Sequence, residues 1–503
     1  MSKNFYLTTT LPYVNANPHA GFAFELVTAD IIARYRKLLG DDVFFNTGTD
    51  EHGLKIYRKA QEEGKDAQAY TDEYAKKYQL LTQKLGLDTE LLRFVRTTNT
   101  HHKAAAQELW RRCRGDIELR KYKGLYCVGD EAFIKESDLV DGKCPSHPTM
   151  DVIEIEEENY FFNLKKYEKK LLAYLNQEGV IVPEWRRQEA IQFVRRGLED
   201  FSISRVKEKM PWGVPVPGDD SQVVYVWFDA LTNYISTLGW PEDTEGNFKR
   251  FWEEGETLQL AGKDQVRFQS VMWQAMLMSA GLPTTKQIVY HGFITSGGQK
   301  MSKSLGNVID PVAIVDEYGT DALRYFLARH IHPFEDSDFT MERFKDAYNA
   351  DLANGIGNLA ARVMQLAQSN LAEPVQVEFV PYPKEFTDAL ATFKINEAVE
   401  YVGKRIQRLD QKINQTEPFK VVKADVEKGR KDIEELVREL AAIDLMLEPI
   451  VPETSKKIIE AIMRNKKPEN LFPRKDVASP SGRVPHFALP KKKKEKKGDL
   501  NFS

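Results

Sequence analysis

A loop with two lysines, lying between a buried strand and a capped helix, constrains the fold of this chain more than any other stretch. The loop at residues 300–304 reads KMSKS. Residues 287–290 before it predict a buried strand, and residues 311–317 after it predict a helix capped by Asp310. Open α/β sheets bind ligands at the carboxyl ends of their strands. Paired ammonium groups at that edge favour a triphosphate ligand, whereas a solvated basic loop is the alternative.

A second strand–loop–helix unit begins the chain. Residues 5–10 predict a strand, and apolar residues at helical spacing within residues 24–38 predict a helix. The loop between them ends at His19 and Gly21. A helix start offers free N–H groups and a positive dipole end to an anion, and Gly21 lets a phosphate or a purine approach the backbone. His19 is therefore a candidate donor to a triphosphate, the alternative being a histidine with a structural role only.

The composition favours a multidomain protein of a reducing compartment. A chain of 503 residues with 42% hydrophobic residues is long enough for about three to four domains. The net charge of −4 means that contact with nucleic acid depends on local patches. The three cysteines are too few for a disulfide scaffold, and the N-terminus lacks a secretory or transit pattern. These features, with no run long enough to span a membrane, predict a cytoplasmic protein.

Two pairs of potential metal ligands lie in a segment of short strands and turns between residues 116 and 163. Cys127 and Asp130 form the first pair, and Cys144 and His147 form the second, each with two residues between the ligands. This spacing is typical of a zinc knuckle, which closes a small fold that cannot bury enough core by itself. A knuckle that holds no metal is the alternative, and the sequence leaves both open.

Further patterns predict the remaining elements. Residues 55–112 predict successive helices that cover a sheet, residues 223–228 predict a continuous central strand, and residues 258–264 predict a strand that ends in a tight turn. The lysine-rich residues 491–497 predict a disordered tail that adds salt-dependent RNA affinity or only solubility. The C-terminal third predicts a bundle of four amphipathic helices. These helices span residues 348–368, 393–411, 427–447 and 452–463.

The lysine loop matches the KMSKS signature of class I aminoacyl-tRNA synthetases. Residues 12–21 resemble the HIGH signature of the same class, and residues 47–53 (TGTDEHG) are similar to the methionyl-tRNA synthetase family in particular. The resemblance covers roughly residues 4–470. The chain departs from the family pattern at Phe22, which stands in place of the second histidine and cannot donate to a phosphate.

This resemblance implies an α/β fold followed by an all-α part. It implies a Rossmann-type catalytic domain with a parallel sheet, a small inserted knuckle domain, and an anticodon-binding helix bundle. The implied segments are the first half of the catalytic domain (1–115), a connective insertion (116–220) with the knuckle at about 118–163, the second half with the KMSKS loop (221–330), a connector (331–350), the bundle (351–470) and the lysine-rich tail (471–503).

The implied activity is the ATP-dependent activation of L-methionine to methionyl-adenylate, with Mg²⁺, and transfer of the methionyl group to tRNA(Met) for translation initiation and elongation. No side-chain nucleophile is needed, because such a displacement is accelerated by positioning and charge stabilisation. The resemblance implies His19, Lys300 and Lys303 as catalytic residues. The same three residues, together with Gly21 and Asp264, are implied to bind ATP.

The resemblance also implies residues for the amino acid and the anticodon. A soft thioether favours contact with aromatic rings, and a carboxylate suits the amino group of the substrate. The implied methionine-binding residues are Leu11, Tyr13, Asp50, Trp227, Ala230, Tyr234, Gln265, Gln269 and Trp273. The implied anticodon-binding residues are Asn358, Arg362 and Phe419, whose amide, guanidinium and ring suit unpaired bases.

Three of these positions depart from the family pattern. Gln265 and Gln269 stand where the family usually has an apolar residue and a histidine, and Phe419 replaces a tryptophan. The alternatives are a class I synthetase for another apolar amino acid, a synthetase-like RNA-binding protein without catalysis, and an unrelated nucleotidyltransferase. Because no appended C-terminal domain is evident, the sequence predicts a monomer.

Overall fold

The structure is a computed structural model. It describes residues 3–127, 132–134, 136–145, 148, 150–301, 306–378 and 380–475. Lys303, Asp130, His147 and the predicted lysine-rich tail from residue 476 onward lie outside the described residues. In the described ranges, no helix is both long enough and apolar enough to cross a membrane.

The strands of the described residues belong to one large parallel sheet and several small sheets. In chain order they are β1 (Asn4–Thr8), β2 (Asp42–Thr49), β3 (Leu92–Arg96), β4 (Ile117–Cys127), β5 (Ala132–Ile134), β6 (Val152–Phe162), β7 (Ile181–Val182), β8 (Phe201–Ser202), β9 (Ser204–Val206), β10 (Pro215–Val216), β11 (Asp219–Val224), β12 (Glu256–Gly262), β13 (Gln287–His291), β14 (Ile294–Ser296), β15 (Gln299–Lys300) and β16 (Ser337–Asp338).

The α-helices cover the parallel sheet and form the C-terminal third. In chain order they are α1 (Ala20–Leu38), α2 (Leu54–Glu62), α3 (Ala67–Lys84), α4 (Thr100–Arg112), α5 (Glu168–Leu175), α6 (Glu184–Arg195), α7 (Val226–Leu231), α8 (Asn233–Ser236), α9 (Trp273–Ala280), α10 (Pro311–Tyr318), α11 (Thr320–His330), α12 (Met341–Ala347), α13 (Asn358–Asn370), α14 (Lys384–Ala391), α15 (Ile395–Thr416), α16 (Pro418–Ala424), α17 (Val426–Leu447) and α18 (Pro452–Met463).

The central sheet has six strands in the order β3-β2-β1-β12-β13-β7, and every neighbouring pair is parallel. Its inner strands β1, β12 and β13 are buried along almost their whole length, as expected for strands covered by helices on both faces. The chain order reverses between β1 and β12. This reversal opens a crevice at their carboxyl ends, the usual ligand site of such sheets. The predicted fold class, an α/β catalytic part followed by a helix bundle, is confirmed.

Two predictions of secondary structure are wrong. Residues 223–228 do not form a central strand, because β11 ends at Val224, lies in a small antiparallel sheet with β9 and β10, and is followed by the buried helix α7. A short apolar run does not distinguish a buried strand from a buried helix. Residues 55–112 are not only helical, since β3 lies among them. As the edge strand of the sheet, β3 is only partly buried and lacks a continuous apolar run.

The segment between β3 and β11 contains an antiparallel sheet in the order β5-β4-β6-β8. Its long strands β4 and β6 pair without interruption from Ile117 opposite Phe162 to Cys127 opposite Val152. The short strand β7 lies within the predicted insertion, residues 116–220, and yet it pairs in parallel with β13 of the central sheet.

The C-terminal third is a bundle to which α13, α15, α17 and α18 contribute the long helices. The predicted helix at residues 348–368 is divided, because a π-helical segment (Tyr348–Gly357) with non-helical angles at Gly355 (φ −84°, ψ −105°) precedes α13. The short helices α14 and α16 were not predicted. The apolar faces of all these helices join the hydrophobic core of the catalytic part.

A buried ion pair links this bundle to the catalytic part. Asp30 on α1 pairs with Arg324 on α11 at 2.8 Å, and neither side chain is exposed. The Arg324 guanidinium also donates to the carbonyl groups of Pro449 (3.0 Å) and Ile450 (2.9 Å), between α17 and α18, and to that of Leu85 (3.1 Å). A single side chain therefore contacts three parts of the molecule.

We expect the substitution Arg324→Met to lower the free energy of unfolding by about 3 kcal/mol, because it leaves the Asp30 carboxylate and several carbonyl groups buried with fewer partners. Urea unfolding followed by circular dichroism measures this loss. Arg438→Met, which removes an exposed pair with Glu434, serves as the control and should change stability little. Equal effects of the two substitutions would contradict the importance of the buried pair.

A second buried carboxyl group lies on α17. Asp444 is 5% exposed and accepts a hydrogen bond of 3.1 Å from the Ser455 hydroxyl, whereas its Oδ1 has no hydrogen-bond partner among the residues that the structure describes. Burial, and then the charge of Glu448, raise the pKa of Asp444 to about 8. The group therefore favours its neutral form in the folded protein.

We expect the stability of the bundle to fall as the pH rises from about 4 to about 8, because the folded protein retains a proton on Asp444 that the unfolded chain releases near pH 3.9. The neutral substitution Asp444→Asn should flatten this dependence and raise the thermal midpoint at pH 8. Thermal unfolding between pH 5 and pH 8 tests this. The exposed Asp388→Asn is the control, and an unchanged pH dependence in Asp444→Asn would refute the expectation.

Candidate active site

His19 lies at the carboxyl edge of the sheet as the N-cap of α1. Its backbone is extended (φ −135°, ψ 172°), and its Nδ1 accepts a hydrogen bond of 3.1 Å from the Gly21 N–H. Because Nδ1 is an acceptor, a neutral ring carries its proton on Nε2. Although the His19 side chain keeps an exposed surface, partial desolvation, and then the nearby Lys300 ammonium, lower the pKa of His19, which favours the neutral ring. Its Nε2–H is thus a suitable donor toward the crevice.

The lysine loop begins against the start of α1. Lys300 ends β15, and after the loop the Ile309 carbonyl accepts a hydrogen bond of 3.1 Å from the Ala20 N–H. A Cβ added to Gly21 would lie 3.9 Å from Met301 Cε, so the side chain of Met301 reaches the same helix end. The two motifs predicted to bind the triphosphate are therefore adjacent in the described part of the loop.

Phe22, which stands in place of the second signature histidine, belongs to the core and not to the crevice. It is 8% exposed and packs edge-on against Tyr78 with the ring centroids 5.5 Å apart. The Tyr78 hydroxyl donates to the Ala16 carbonyl at 3.2 Å and so fixes the loop that leads to His19. Phe22 therefore supports this loop through Tyr78 and offers no donor to a phosphate.

Asp264 lies beyond the carboxyl end of β12, across the crevice from β1. It is exposed, in a short 3-10 turn (Lys263–Gln265), and accepts a hydrogen bond of 3.1 Å from Gln265 Nε2. A Cβ added to Gly262 would lie only 2.7 Å from Asp264 Oδ1, so a glycine before the turn leaves room for the carboxylate. Asp264 and Gln265 thus both lie at the edge of the crevice.

The loop after β1 is joined to the end of β2. The Asp50 N–H donates to the Pro12 carbonyl (3.0 Å), and the Val14 N–H donates to the Asp50 carbonyl (3.2 Å). Tyr13 and Asp50 form an isolated parallel bridge. Asp50 is buried and Leu11 is half-buried. Three residues predicted to bind the amino acid therefore lie together.

An aromatic wall adjoins this loop. Trp227 on α7 stacks on Phe268, with centroids 3.9 Å apart and an interplanar angle of 12°, and it meets Tyr13 edge-on at 6.4 Å. Ala230, on the same short helix, is buried. Phe268 was not predicted from the sequence, although it directly precedes the predicted residue Gln269.

Gln269, Tyr234 and Trp273 form a buried group beside this wall. Gln269 Nε2 donates to the Tyr234 hydroxyl at 2.8 Å, and the Tyr234 and Trp273 rings meet edge-on at 5.7 Å. Burial raises the pKa of Tyr234, so the phenol remains protonated. Because its oxygen accepts from Gln269, its own O–H is available for a second acceptor.

A buried ionic pair below the crevice was missed in the sequence analysis. Glu25 on α1 accepts hydrogen bonds from the N–H and the hydroxyl of Thr10 at 2.5 and 2.7 Å and lies 2.9 Å from His291 Nε2. His291 Nδ1 lies 2.7 Å from the Gly292 carbonyl, so both ring nitrogens face acceptors and the ring is protonated. Burial would lower the pKa of His291, but Glu25 raises it overall. Glu25 lies among the apolar residues of α1, and nothing in the sequence near it indicates that His291 is its partner.

Two consecutive residues of the loop that follows β2 form ion pairs with other parts of the chain. Glu51 is buried and pairs with Arg96 at 2.7 Å, and His52 pairs with Asp229 at 2.7 Å. Glu51 and His52 belong to the motif that contains Asp50, whereas Arg96 and Asp229 were not selected from the sequence. Asp50 is therefore followed by two buried residues that each have a charged partner.

The residues predicted to read the anticodon lie on the bundle. Asn358 and Arg362 are one turn apart on α13, and Asn358 is exposed. The Arg362 guanidinium donates to Asn414 Oδ1 at 2.7 Å and pairs with Asp410, both on α15. Phe419, at the start of α16, is 42% exposed. Its ring is available for stacking.

The predicted zinc ligands are only partly within the described residues. Cys127 and Cys144 are buried, and neither forms a disulfide. Asp130 and His147 lie outside the described ranges, so the set of four ligands stays a prediction. Within the described ranges, no group of three or more His, Cys, Asp or Glu side chains could hold a metal ion.

Comparison with known proteins agrees with this geometry. The family model described as tRNA synthetases class I (M) matches residues 5–152 and 148–364. A methionine–tRNA ligase of Nostoc sp. is 40% identical over 485 residues, covering 92% of this chain and 90% of that protein. One from Thermosynechococcus vestitus is 47% identical over 373 residues, covering 73% of this chain and 70% of that protein.

A similar solved structure is Mycobacterium tuberculosis methionyl-tRNA synthetase in complex with methionyl-adenylate. Its TM-score is 0.84 at 37% sequence identity, and the match covers 91% of this chain and 93% of that chain. The family model includes both signature motifs, and these relatives extend over most of the chain. The chain therefore belongs to the class I (M) family of tRNA synthetases.

Proposed function

We propose that this chain activates L-methionine with ATP to methionyl-adenylate and transfers the methionyl group to tRNA(Met). The observation that carries this proposal is the meeting of His19 and the lysine loop at the start of α1, beside an aromatic pocket. It is supported by the likeness over 92% of the chain to a methionine–tRNA ligase. The solved relative that holds methionyl-adenylate supports the first step of the reaction.

In this step, a carboxylate oxygen of methionine attacks the α-phosphorus of ATP, and the bond to the pyrophosphate oxygen breaks. His19 would donate from Nε2 to a phosphate oxygen, while Lys300 and Lys303 stabilise the charge that moves onto the leaving pyrophosphate. Gly21 would leave space for the nucleotide, and Asp264 would accept the ribose hydroxyls. No covalent bond to the protein is required.

The aromatic wall and the buried group beside it supply the contacts for the methionine side chain. Trp227, Tyr234 and Trp273 suit a polarizable thioether, and Leu11, Tyr13 and Ala230 add apolar surface. Asp50 would face the amino group. We assign Gln269 to orient the Tyr234 hydroxyl and Gln265 to the edge of the same pocket.

The second step transfers the methionyl group to the terminal ribose of tRNA(Met), with release of AMP. A ribose hydroxyl oxygen attacks the carbonyl carbon of the adenylate, and the mixed anhydride bond breaks. We assign the anticodon to Asn358, Arg362 and Phe419, since an amide, a guanidinium and an exposed ring are suited to unpaired bases.

Magnesium enters this reaction as part of the ATP substrate. For Zn²⁺ the two alternatives remain a site formed by Cys127, Asp130, Cys144 and His147, and a knuckle without metal. Buried thiols suit the first alternative, and metal analysis of the purified protein decides between them. The monomeric state and the cytoplasmic location stay predictions from the sequence.

We expect ATP–pyrophosphate exchange with methionine and with no other standard amino acid. Lys300→Ala should lower the rate of exchange by about 100-fold or more, because one charge that stabilises the transition state is lost. Lys249→Ala, which removes an exposed pair with Glu245, is the matched control. Exchange with a different amino acid would mean that the glutamines respecify the pocket, and tRNA binding without any exchange would favour the RNA-binding alternative.

We expect Arg362→Gln to raise the Michaelis constant for tRNA(Met) by roughly tenfold or more, since a base contact contributes on the order of 1–3 kcal/mol. Pyrophosphate exchange should be unchanged, because Arg362 lies on the bundle and not in the crevice. Aminoacylation at varied tRNA concentration measures this. Arg438→Gln, an exposed arginine of the same bundle, is the control, and equal effects of the two substitutions would remove Arg362 from the anticodon site.

A further inference from the structure

The carboxylate of Asp229 is enclosed between two histidines. Its side chain is not exposed, Oδ2 lies 2.7 Å from His52 Nδ1, and Oδ1 lies 2.9 Å from His102 Nε2. The other nitrogen of His102 contacts the Ser236 hydroxyl at 2.9 Å. Both imidazoles are buried. Each carboxylate oxygen therefore has an imidazole N–H donor at a buried site.

This carboxylate is ionised in the folded protein. Burial would raise the pKa of Asp229, but the two histidines outweigh burial and hold the pKa at about 2. A buried carboxylate accepts only, so His52 must carry a proton on Nδ1 and His102 must carry one on Nε2. The three side chains thus form one group with defined donors and acceptors.

The group joins three elements, two of which carry residues of the proposed methionine pocket. His52 follows the end of β2 and lies two residues after Asp50, whose backbone bridges Tyr13. Asp229 lies on α7 between Trp227 and Ala230. His102 lies on α4. Asp229 therefore links the loop that follows Asp50 to the helix that carries Trp227 and Ala230.

We propose that Asp229, through His52 and His102, is a positioning residue that fixes the wall of the methionine pocket relative to the loop that carries Asp50. This inference rests on the proposed function. Asp229 does not contact the reacting atoms. It affects whether one amino acid can contact Asp50 with its amino group and the aromatic wall with its side chain at the same time.

A role limited to stability makes a different prediction. Loss of a buried ion pair that only stabilises the fold would lower the unfolding temperature and the fraction of active protein, with unchanged Michaelis constants. Loss of a positioning contact would raise the Michaelis constant for methionine and leave that for ATP unchanged, because His19, Lys300 and Asp264 lie on other elements. The ratio of the two constants separates these roles.

The chain allows a matched pair of substitutions at His52. His52→Asn retains an N–H donor close to the position of Nδ1, whereas His52→Leu has a similar size and no donor. We expect His52→Leu to raise the Michaelis constant for methionine by about tenfold or more, and His52→Asn to stay within about threefold of the wild type. The constant for ATP should change by less than about twofold in both.

Asp229→Asn tests the same group from its centre. The introduced amide accepts from one imidazole and turns an N–H toward the other, so we expect a rise in the Michaelis constant for methionine that exceeds the fall in kcat. Methionine binding without ATP provides a second measurement, through the fluorescence of Trp227 and Trp273. The dissociation constant should rise by the same factor as the Michaelis constant.

The outcomes separate this proposal from the proposed function. Equal rises for methionine and ATP, or a lower thermal midpoint with unchanged constants, would overturn the positioning role of Asp229 and leave the synthetase function intact. If the wild type exchanges with an amino acid other than methionine, the Michaelis constant for that amino acid is compared with the constant for ATP. A selective rise for the amino acid supports the positioning role of Asp229, and equal rises overturn it. No exchange with any amino acid would overturn both proposals.

Discussion

The parallel pairing of β1 with β12 is the constraint on which the site depends. It joins strands about 250 residues apart in the chain, in a register that runs from Phe5 opposite Glu256 to Thr8 opposite Gln259. The loop after β1 and the turn after β12 must therefore open at the same edge of the sheet. His19 and Asp264 share a crevice only because of this pairing, and the helix end at His19 adds a favourable place for negative charge.

Sequence reasoning recovered those parts of the fold whose signals are local. The cap Asp310 and the following proline predicted α10, and the apolar spacing predicted α1, because caps and periodicity act within a few residues. The helix α7 and the edge strand β3 were missed, since burial by distant elements decides their conformation. The histidine partners of Glu25 and Asp229 were missed for the same reason, because these pairs join residues more than 100 positions apart.

Two of the departures from the family pattern, Gln269 and Phe22, change the chemistry of the candidate active site. Gln269 forms the hydrogen bond to Tyr234 with an amide, which does not titrate, whereas a histidine in that place would change charge near neutral pH. The orientation of the Tyr234 hydroxyl is therefore independent of pH in the physiological range. Phe22 replaces a polar signature residue by a core residue, so the crevice contains one histidine at the start of α1.

The contacts of Arg324 show one place where the bundle meets the catalytic part without a requirement for particular side chains. Its guanidinium meets the bundle through the backbone carbonyls of Pro449 and Ile450 and not through their side chains. Every residue has a backbone carbonyl group, so this junction depends on the course of the main chain and not on particular side chains. The side chains of residues 449 and 450 can therefore vary provided that the turn between α17 and α18 keeps its course, whereas the apolar residues by which the bundle helices join the common core are constrained by packing.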